Sequence, residues 1–449
     1  EVQESAVKPI EPVFLDYQKD MSQLKAKSDI PVLYKQNVAN DLFQLIYVFD
    51  MGNNHDKALG TAFDYLEYLG TSDMTPEELK SEFYRLACTF YVSPGNERTY
   101  VVLSGLNENM PAAVQLFEKL LADAQVNKEA YTNMTSDILK ARSDAKLNQG
   151  QNFSRLMSFA MYGPKSPATN LLTEAELTNM NPQELVDRIH NQNSYKHRIL
   201  YYGPSSSKDL LATINQYHQV PAALKDIPAG NEYAYLETPV TKVLVAPYDA
   251  KQIYMAQISN LDKKYDPAIE PIRALYDEYF GGGMNSIVFQ EMRETRGLAY
   301  SAWASIMPPS YLKYPYVLRT QIATQNDKMI DAVTTFNDII NNMPESEAAF
   351  KLAKDGLTNR LRTERIIKGD IIWSYINAQD LGQNVDPRIK LYNDIQNMSL
   401  KDIVDFQKQW VKGRTYVYCI LGDKKDLELD KLKAVGPIEE LTQEQIFGY

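Results

Sequence analysis

The chain has 449 residues, with 47 Lys and Arg against 58 Asp and Glu, giving a formal charge of −11. Hydrophobic residues at 44% and charged residues at 23% are ordinary globular usage, which excludes a disordered chain. The acidic balance and the lack of a long basic run exclude nucleic acid or an anionic membrane as the main partner. Two cysteines, Cys88 and Cys419, are too few for a disulfide framework or a thiolate zinc site. The four histidines, His55, His190, His197 and His218, include no pair at a metal-ligand spacing such as i, i+4. No run of apolar residues is long enough to span a bilayer.

The opening EVQESAVKPIEPVFLDYQKD is polar and carries prolines, and reads as a linker entering a domain. It begins at Glu1 with no apolar stretch, as a processed chain or an excised piece would. FQLIYVF (43–49), rich in β-branched and aromatic residues, predicts a strand, and helical periodicity follows over 57–68. A strand over 99–103, a helix over 112–124 and a strand over 197–203 complete the first series. A second series repeats it: KVLVAPY (242–248), a helix over 267–279, a strand over 316–322, a helix over 328–342 and a strand over 414–422. Strands and helices mix without strict alternation, which predicts an α+β fold with helices packed over an antiparallel or mixed sheet.

The two series are copies. Asn179-Met180 through Val186-Asp187 matches Asn397-Met398 through Val404-Asp405 at an offset of 218. Ala113-Val114, Phe117 and Leu120-Leu121 match Ala332-Val333, Phe336 and Ile339-Ile340 at 219. Ile199-Leu200 recurs as Ile420-Leu421 at 221, and Lys208-Asp209-Leu210 as Lys425-Asp426-Leu427 at 217. Four matches in one order at nearly one offset predict two tandem domains, 1–222 and 223–449, with a seam in the proline- and glycine-marked stretch 220–233.

The most distinctive segment is Phe280-Gly281-Gly282-Gly283-Met284-Asn285-Ser286 followed by IVFQEMRETRGLAYSA (287–302). Read alone, the glycines mark close packing or a tight turn, with Asn285 or Ser286 as a helix cap; no Lys-Ser/Thr follows to make a phosphate loop. With ALGTAFDYLEYLGTSDMT (58–75) and RTYVVLSGLNENMPAAVQLFEKLL (98–121), this segment resembles the pitrilysin/insulinase family, the peptidases with an inverted zinc motif. The resemblance covers essentially the whole chain and implies the paired α+β domains of that family. In it, an Arg and a Tyr at the spacing of Arg293 and Tyr300 lie near the substrate beside zinc.

Zinc-bearing members carry H-x-x-E-H on a helix, with two imidazoles on one face, a Glu activating water and a distal Glu completing the site. The matching segment here is Asp64-Tyr65-Leu66-Glu67-Tyr68, so Asp64 and Tyr68 replace both ligands while Glu67 keeps the base position. Asp137 is the candidate distal carboxylate. Without imidazole these residues make a poor zinc site, and Glu67 reads as a solvated carboxylate. The resemblance therefore implies a zinc-less half, inactive alone, with no cofactor of its own and zinc in a partner. That partner is either an N-terminal half of the same longer chain, the favoured expectation, or a separate catalytic subunit. Peptides are the implied substrates, hydrolysed in a closed chamber whose wall this half supplies. A catalytically inactive binding or scaffold subunit of the same fold is the alternative. Exported bacterial relatives of the two-half type imply a periplasmic location. Net acidity favours basic peptides by long-range steering, although the sign inside a cavity is a local matter.

Overall fold

The computed structural model describes residues 10–250 and 252–449; the first nine residues of the expected linker lie outside this range. It contains two six-stranded sheets, the α+β layering that the pattern predicts. The first sheet is built from β1 (Ser22–Lys25), β2 (Pro31–Gln36), β3 (Leu42–Phe49), β4 (Cys88–Pro94), β5 (Thr99–Leu106) and β6 (Arg198–Gly203), in the order β1-β2-β6-β3-β5-β4. The second uses β7 (Lys242–Pro247), β8 (Gln252–Lys264), β9 (Ser301–Met307), β10 (Pro315–Gln325), β11 (Val417–Gly422) and β12 (Ile438–Glu440), in the order β12-β7-β11-β8-β10-β9. Five strands correspond one to one: β2 with β7, β3 with β8, β4 with β9, β5 with β10 and β6 with β11. The sixth does not. The first edge is filled by β1, antiparallel to β2, and the second by β12, parallel to β7 and drawn from the other end of the chain.

The matched sequence positions are core positions. Ala113, Val114, Phe117, Leu120 and Leu121 form the buried face of the helix Met110–Asp123, and Ala332, Val333, Phe336, Ile339 and Ile340 that of Met329–Asn341. Spacing at three and four residues puts them on one stripe, which covers the sheet of its own copy. The expected boundary at 222/223 falls in the connection between the helix Ser207–Tyr217 and β7, where Lys225 still bridges Tyr195 and Leu224 and Ile227 still pack on the first core.

Each sheet also has an apolar second face, and that face is covered by the other copy. Phe153, Leu156 and Ala160 of the first-copy helix Gln149–Tyr162 pack on Leu244, Ala256, Val417, Cys419 and Leu421 of the second sheet. Reciprocally, Ile371, Ile372 and Ile376 of the second-copy helix Asp370–Asp380 pack on Ile46, Val48, Val102 and Leu200 of the first. The two covering helices stand about one repeat apart in the sequence. Arg98, just before β5, locks this exchange with a bidentate pair to Asp380 (both 2.6 Å) and a second contact to Asp50. Burial alone would lower the Arg98 guanidinium, but the two carboxylates outweigh that and hold it above its ordinary value.

Segments near both ends of the described chain pack into the cores. Residues 15–21 are not a free linker: Leu15 and Tyr17 are buried, Leu15 N–H donates to Asp386 Oδ2 (2.9 Å), and the Tyr17 hydroxyl meets Ser374 Oγ (2.9 Å). Residues 437–449 supply β12 and the helix Gln443–Phe447, whose Ile446 and Phe447 join the core under Gln149–Tyr162. Removing one member of a buried ion pair leaves the other charge desolvated and unpaired. Asp380→Ala should therefore lower the unfolding free energy by about 3 kcal/mol in urea titration, well beyond an exposed pair such as Lys351–Asp355.

Candidate functional site

The helix bearing the degenerate motif runs from Leu59 to Leu66, shorter than the 57–68 periodicity predicts. Leu59, Ala62, Phe63, Tyr65 and Leu66 are buried in the first core, so the inward face is fully apolar or aromatic. The chain leaves the helix at Glu67, its C-cap, and Tyr68 and Leu69 close i→i+3 turns onto Tyr65 and Leu66. Gly70 lies so close to Met74 O that a Cβ would sit 2.3 Å from it, which bends the chain away from a further helical turn. Asp64, Glu67 and Tyr68 are all exposed, and partial desolvation, then the Glu67 charge, raise the Asp64 carboxyl above its ordinary value. Asp137, on the helix Lys128–Lys146, is exposed as well. Among the described residues no cluster of His, Cys, Asp and Glu could hold a metal. The motif residues therefore do not fit zinc: two exposed carboxylates share one face with a phenol, and no imidazole joins them. Tyr65, within the motif, does a structural task instead. Its hydroxyl donates to Asn127 O (2.6 Å) and accepts from Asn127 N (2.8 Å), pinning the start of Lys128–Lys146.

Each histidine is engaged elsewhere. His55 Nδ1 accepts from Gly52 N (3.0 Å), and His190 Nε2 bonds Ala124 O (3.0 Å). His197 and His218, 21 residues apart, meet in the first core with Nε2 to Nε2 at 2.8 Å. His197 Nδ1 donates to Tyr195 O (2.7 Å), and on the far side of the pair His218 Nδ1 lies 2.6 Å from Glu118 Oε1. Tyr47, Asn193 and the Gln219 N–H donate to this buried carboxylate. Sequence spacing alone gave no signal for this network.

The glycine segment behaves as a close-packed turn. A Cβ on Gly281 would lie 2.2 Å from Ala304 O, so only glycine lets the helix Glu270–Phe280 end against β9. Ser286 caps the following short helix, accepting from Phe289 N. The chain then widens into a π-helix, Gln290–Thr295, and reverses at Gly297 with φ of 57° before β9. This places the Arg293 guanidinium 5.9 Å from the centre of the Tyr300 ring and 5.0 Å from that of Phe289. Tyr300 is 74% exposed, and the nearest carboxylate to Arg293 is Glu294 at 3.7 Å. Arg293 and Tyr300 thus come together as an outward-facing cation and phenol, on the second copy, whereas Asp64, Glu67 and Tyr68 belong to the first.

Residues 199–357, which include this segment, match the family model of the peptidase M16 inactive domain. Over these residues the chain is similar to that domain. A relative over most of its length is the non-peptidase homolog YmxG of Helicobacter pylori, 23% identical across 89% of this chain and 93% of that protein. Among solved structures, the peptidase M16 inactive domain from Pseudomonas fluorescens superposes with a TM-score of 0.69 at 15% identity, covering 90% of this chain and 98% of its own. The periplasmic protease PqqL of Escherichia coli gives 0.71 at 13% identity, over 92% of this chain but 46% of that one. The same fold is therefore found as a chain of this length and as part of one about twice as long. No helix among the described residues is long and apolar enough to cross a membrane.

Burial, then the His218 charge, pull His197 down to about 3. Unfolded, it takes up a proton near its ordinary value of about 6.5, so between these values only the unfolded chain carries it. Stability should therefore fall as pH drops from about 6.5 towards 3, by up to about 1.4 kcal/mol per unit from this group. His197→Gln should give a shallower slope in denaturation midpoints measured across that range.

Proposed function

We propose that this M16-like chain is the non-catalytic half of a zinc peptidase assembly, presenting Arg293 and Tyr300 to a metal site carried elsewhere. The observation that carries the reading is their pairing: an exposed guanidinium stacked near an exposed phenol, at the mouth of a sharply shaped π-helix and glycine turn. A cation held there would stabilise the negative charge that develops on a scissile carbonyl oxygen, and the Tyr300 hydroxyl would orient it. Peptides are the substrate class, with folded proteins excluded by closure of this wall against the other half. Asp64, Glu67 and Tyr68 hold no metal in this reading; zinc and its base belong to the partner. The partner is a zinc-bearing N-terminal half or a separate catalytic subunit, since the fold occurs at both chain lengths.

A scaffold role is the second reading, favoured by the name of the Helicobacter relative, a non-peptidase homolog. Reconstitution separates the two. The isolated chain should show substoichiometric zinc by metal analysis and no peptidase activity, and should gain activity only with an H-x-x-E-H partner. In the active pair, Arg293→Ala should reduce turnover by more than about tenfold, or about 1.4 kcal/mol of barrier. An unchanged rate would remove Arg293 from the reaction, and a partner equally active without this chain would leave the scaffold role. Stoichiometric zinc in the isolated chain would overturn both.

A further inference from the structure

The second face of the second sheet is only partly roofed. The helix Gln149–Tyr162 packs chiefly on β7, β8 and β11, and its apolar cluster reaches β10 at Val317; beyond that residue, Trp303, Arg319 and Gln321 are only partly buried. On that side the outward positions alternate as the pleat requires. Ser301, Trp303 and Met307 stand on β9, and Arg319 and Gln321 on β10, with Trp303 opposite Gln321. Arg319 is half-buried there, its guanidinium carbon 5.2 Å from the centre of the Trp303 ring. Its one hydrogen bond among the described residues runs from Nη2 to Gln321 Oε1 (3.0 Å), and its Nε is buried without a partner.

Several partly or fully buried arginines elsewhere meet a carboxylate, whereas Arg142, over the Tyr449 ring, and Arg155 are, like Arg319, met by none among the described residues. Arg98 is paired with Asp380, Arg188 with Asp56, Arg273 with Glu270 and Asp277, and Arg388 with Asp386. Burying a guanidinium costs free energy unless a carboxylate or equivalent acceptor meets it. At Arg319 no carboxylate among the described residues does so, and burial pulls the group below its ordinary value instead. An aromatic face beside a guanidinium whose Nη1 is left without a protein acceptor among the described residues is chemistry that receives a planar anion.

We propose that the open β9–β10 face, through Arg319 and Trp303, binds an extended peptide segment that carries a carboxylate side chain. This deepens the chamber-wall reading and rests on it, by naming the substrate class that the wall selects. The peptide carboxylate accepts from the outward Nη1 end of the Arg319 guanidinium, and its neighbouring aliphatic atoms lie on Trp303. The acidic net charge of the chain opposes this preference at long range, but the local charge of the groove decides at contact distance.

The test uses the whole chain and two blocked peptides of Ala, Ser and Thr, identical except for one central Glu or Gln. Binding is followed by calorimetry and by tryptophan fluorescence, with Trp303→Phe identifying the signal. The Glu peptide should bind about tenfold more tightly, or better, than the Gln peptide. Arg319→Gln should abolish the difference, and Arg319→Lys, which keeps the charge if the glutamine variant misfolds, should retain part of it. Equal binding of the two peptides, or a preference surviving Arg319→Gln, would overturn the assignment and leave the role of Arg293 untouched. Binding of neither peptide would overturn it as well. Discrimination by the isolated chain with no activity on reconstitution would uphold this groove and sink the zinc-assembly reading.

Discussion

Each sheet in this protein has two apolar faces, yet its own copy supplies helices for one. Burial of the second face is the constraint on which the rest depends. The helix Gln149–Tyr162 roofs the second sheet and Asp370–Asp380 roofs the first, so neither copy completes its core without the other. The bidentate Arg98–Asp380 pair sits where this exchange crosses between copies and fixes its register. Leu15 and Tyr17 at one end and Ile446 and Phe447 at the other then dock against the exchanged helices. What reads as two tandem domains in sequence is thus one interlocked body in its packing.

The same exchange determines which surfaces are available for function. The roofing helix packs chiefly on β7, β8 and β11, and the glycine turn at Gly281 brings the Arg293–Tyr300 segment to the neighbouring edge of that sheet. Asp277, whose carboxyl is raised to about 6 by burial despite the Arg273 charge, ties the helix before this turn to β9 through Ile306 N–H and Ser305. The outward Arg293 is therefore held by a stiff frame on one side and left free on the other. That is the arrangement a group needs if its target arrives from outside the chain.

Much of this was legible in the sequence because it rests on periodicity. The strands and helices fall within a few residues of their expected bounds, and the repeated Ala-Val, Phe and Leu-Leu positions are core positions in both copies. The absence of imidazole from the 64–68 segment was plain from residue types alone. The unread features share one physical cause: they depend on which surface meets which. An apolar stripe on Gln149–Tyr162 announces burial without naming the sheet that buries it. The contact of His197 with His218 across 21 residues needs β6 and the end of Ser207–Tyr217 to be brought side by side. The strand β12 adds parallel to β7 from 191 residues away (438 − 247), beyond the reach of any local pattern. Arg319 looks like any outward polar residue of a strand until its lack of a carboxylate is seen in space.

The helix Leu59–Leu66 carries its structural and its chemical residues on opposite sides, with the apolar and aromatic side chains inward and Asp64, then Glu67 and Tyr68 beyond its end, outward. A division of that kind lets descent act on the two sides separately. Substitutions at the outward positions leave the core intact, so those positions can change at little cost to folding. The inward side has no such freedom, because Leu59, Ala62, Phe63, Tyr65 and Leu66 are packed into the first core.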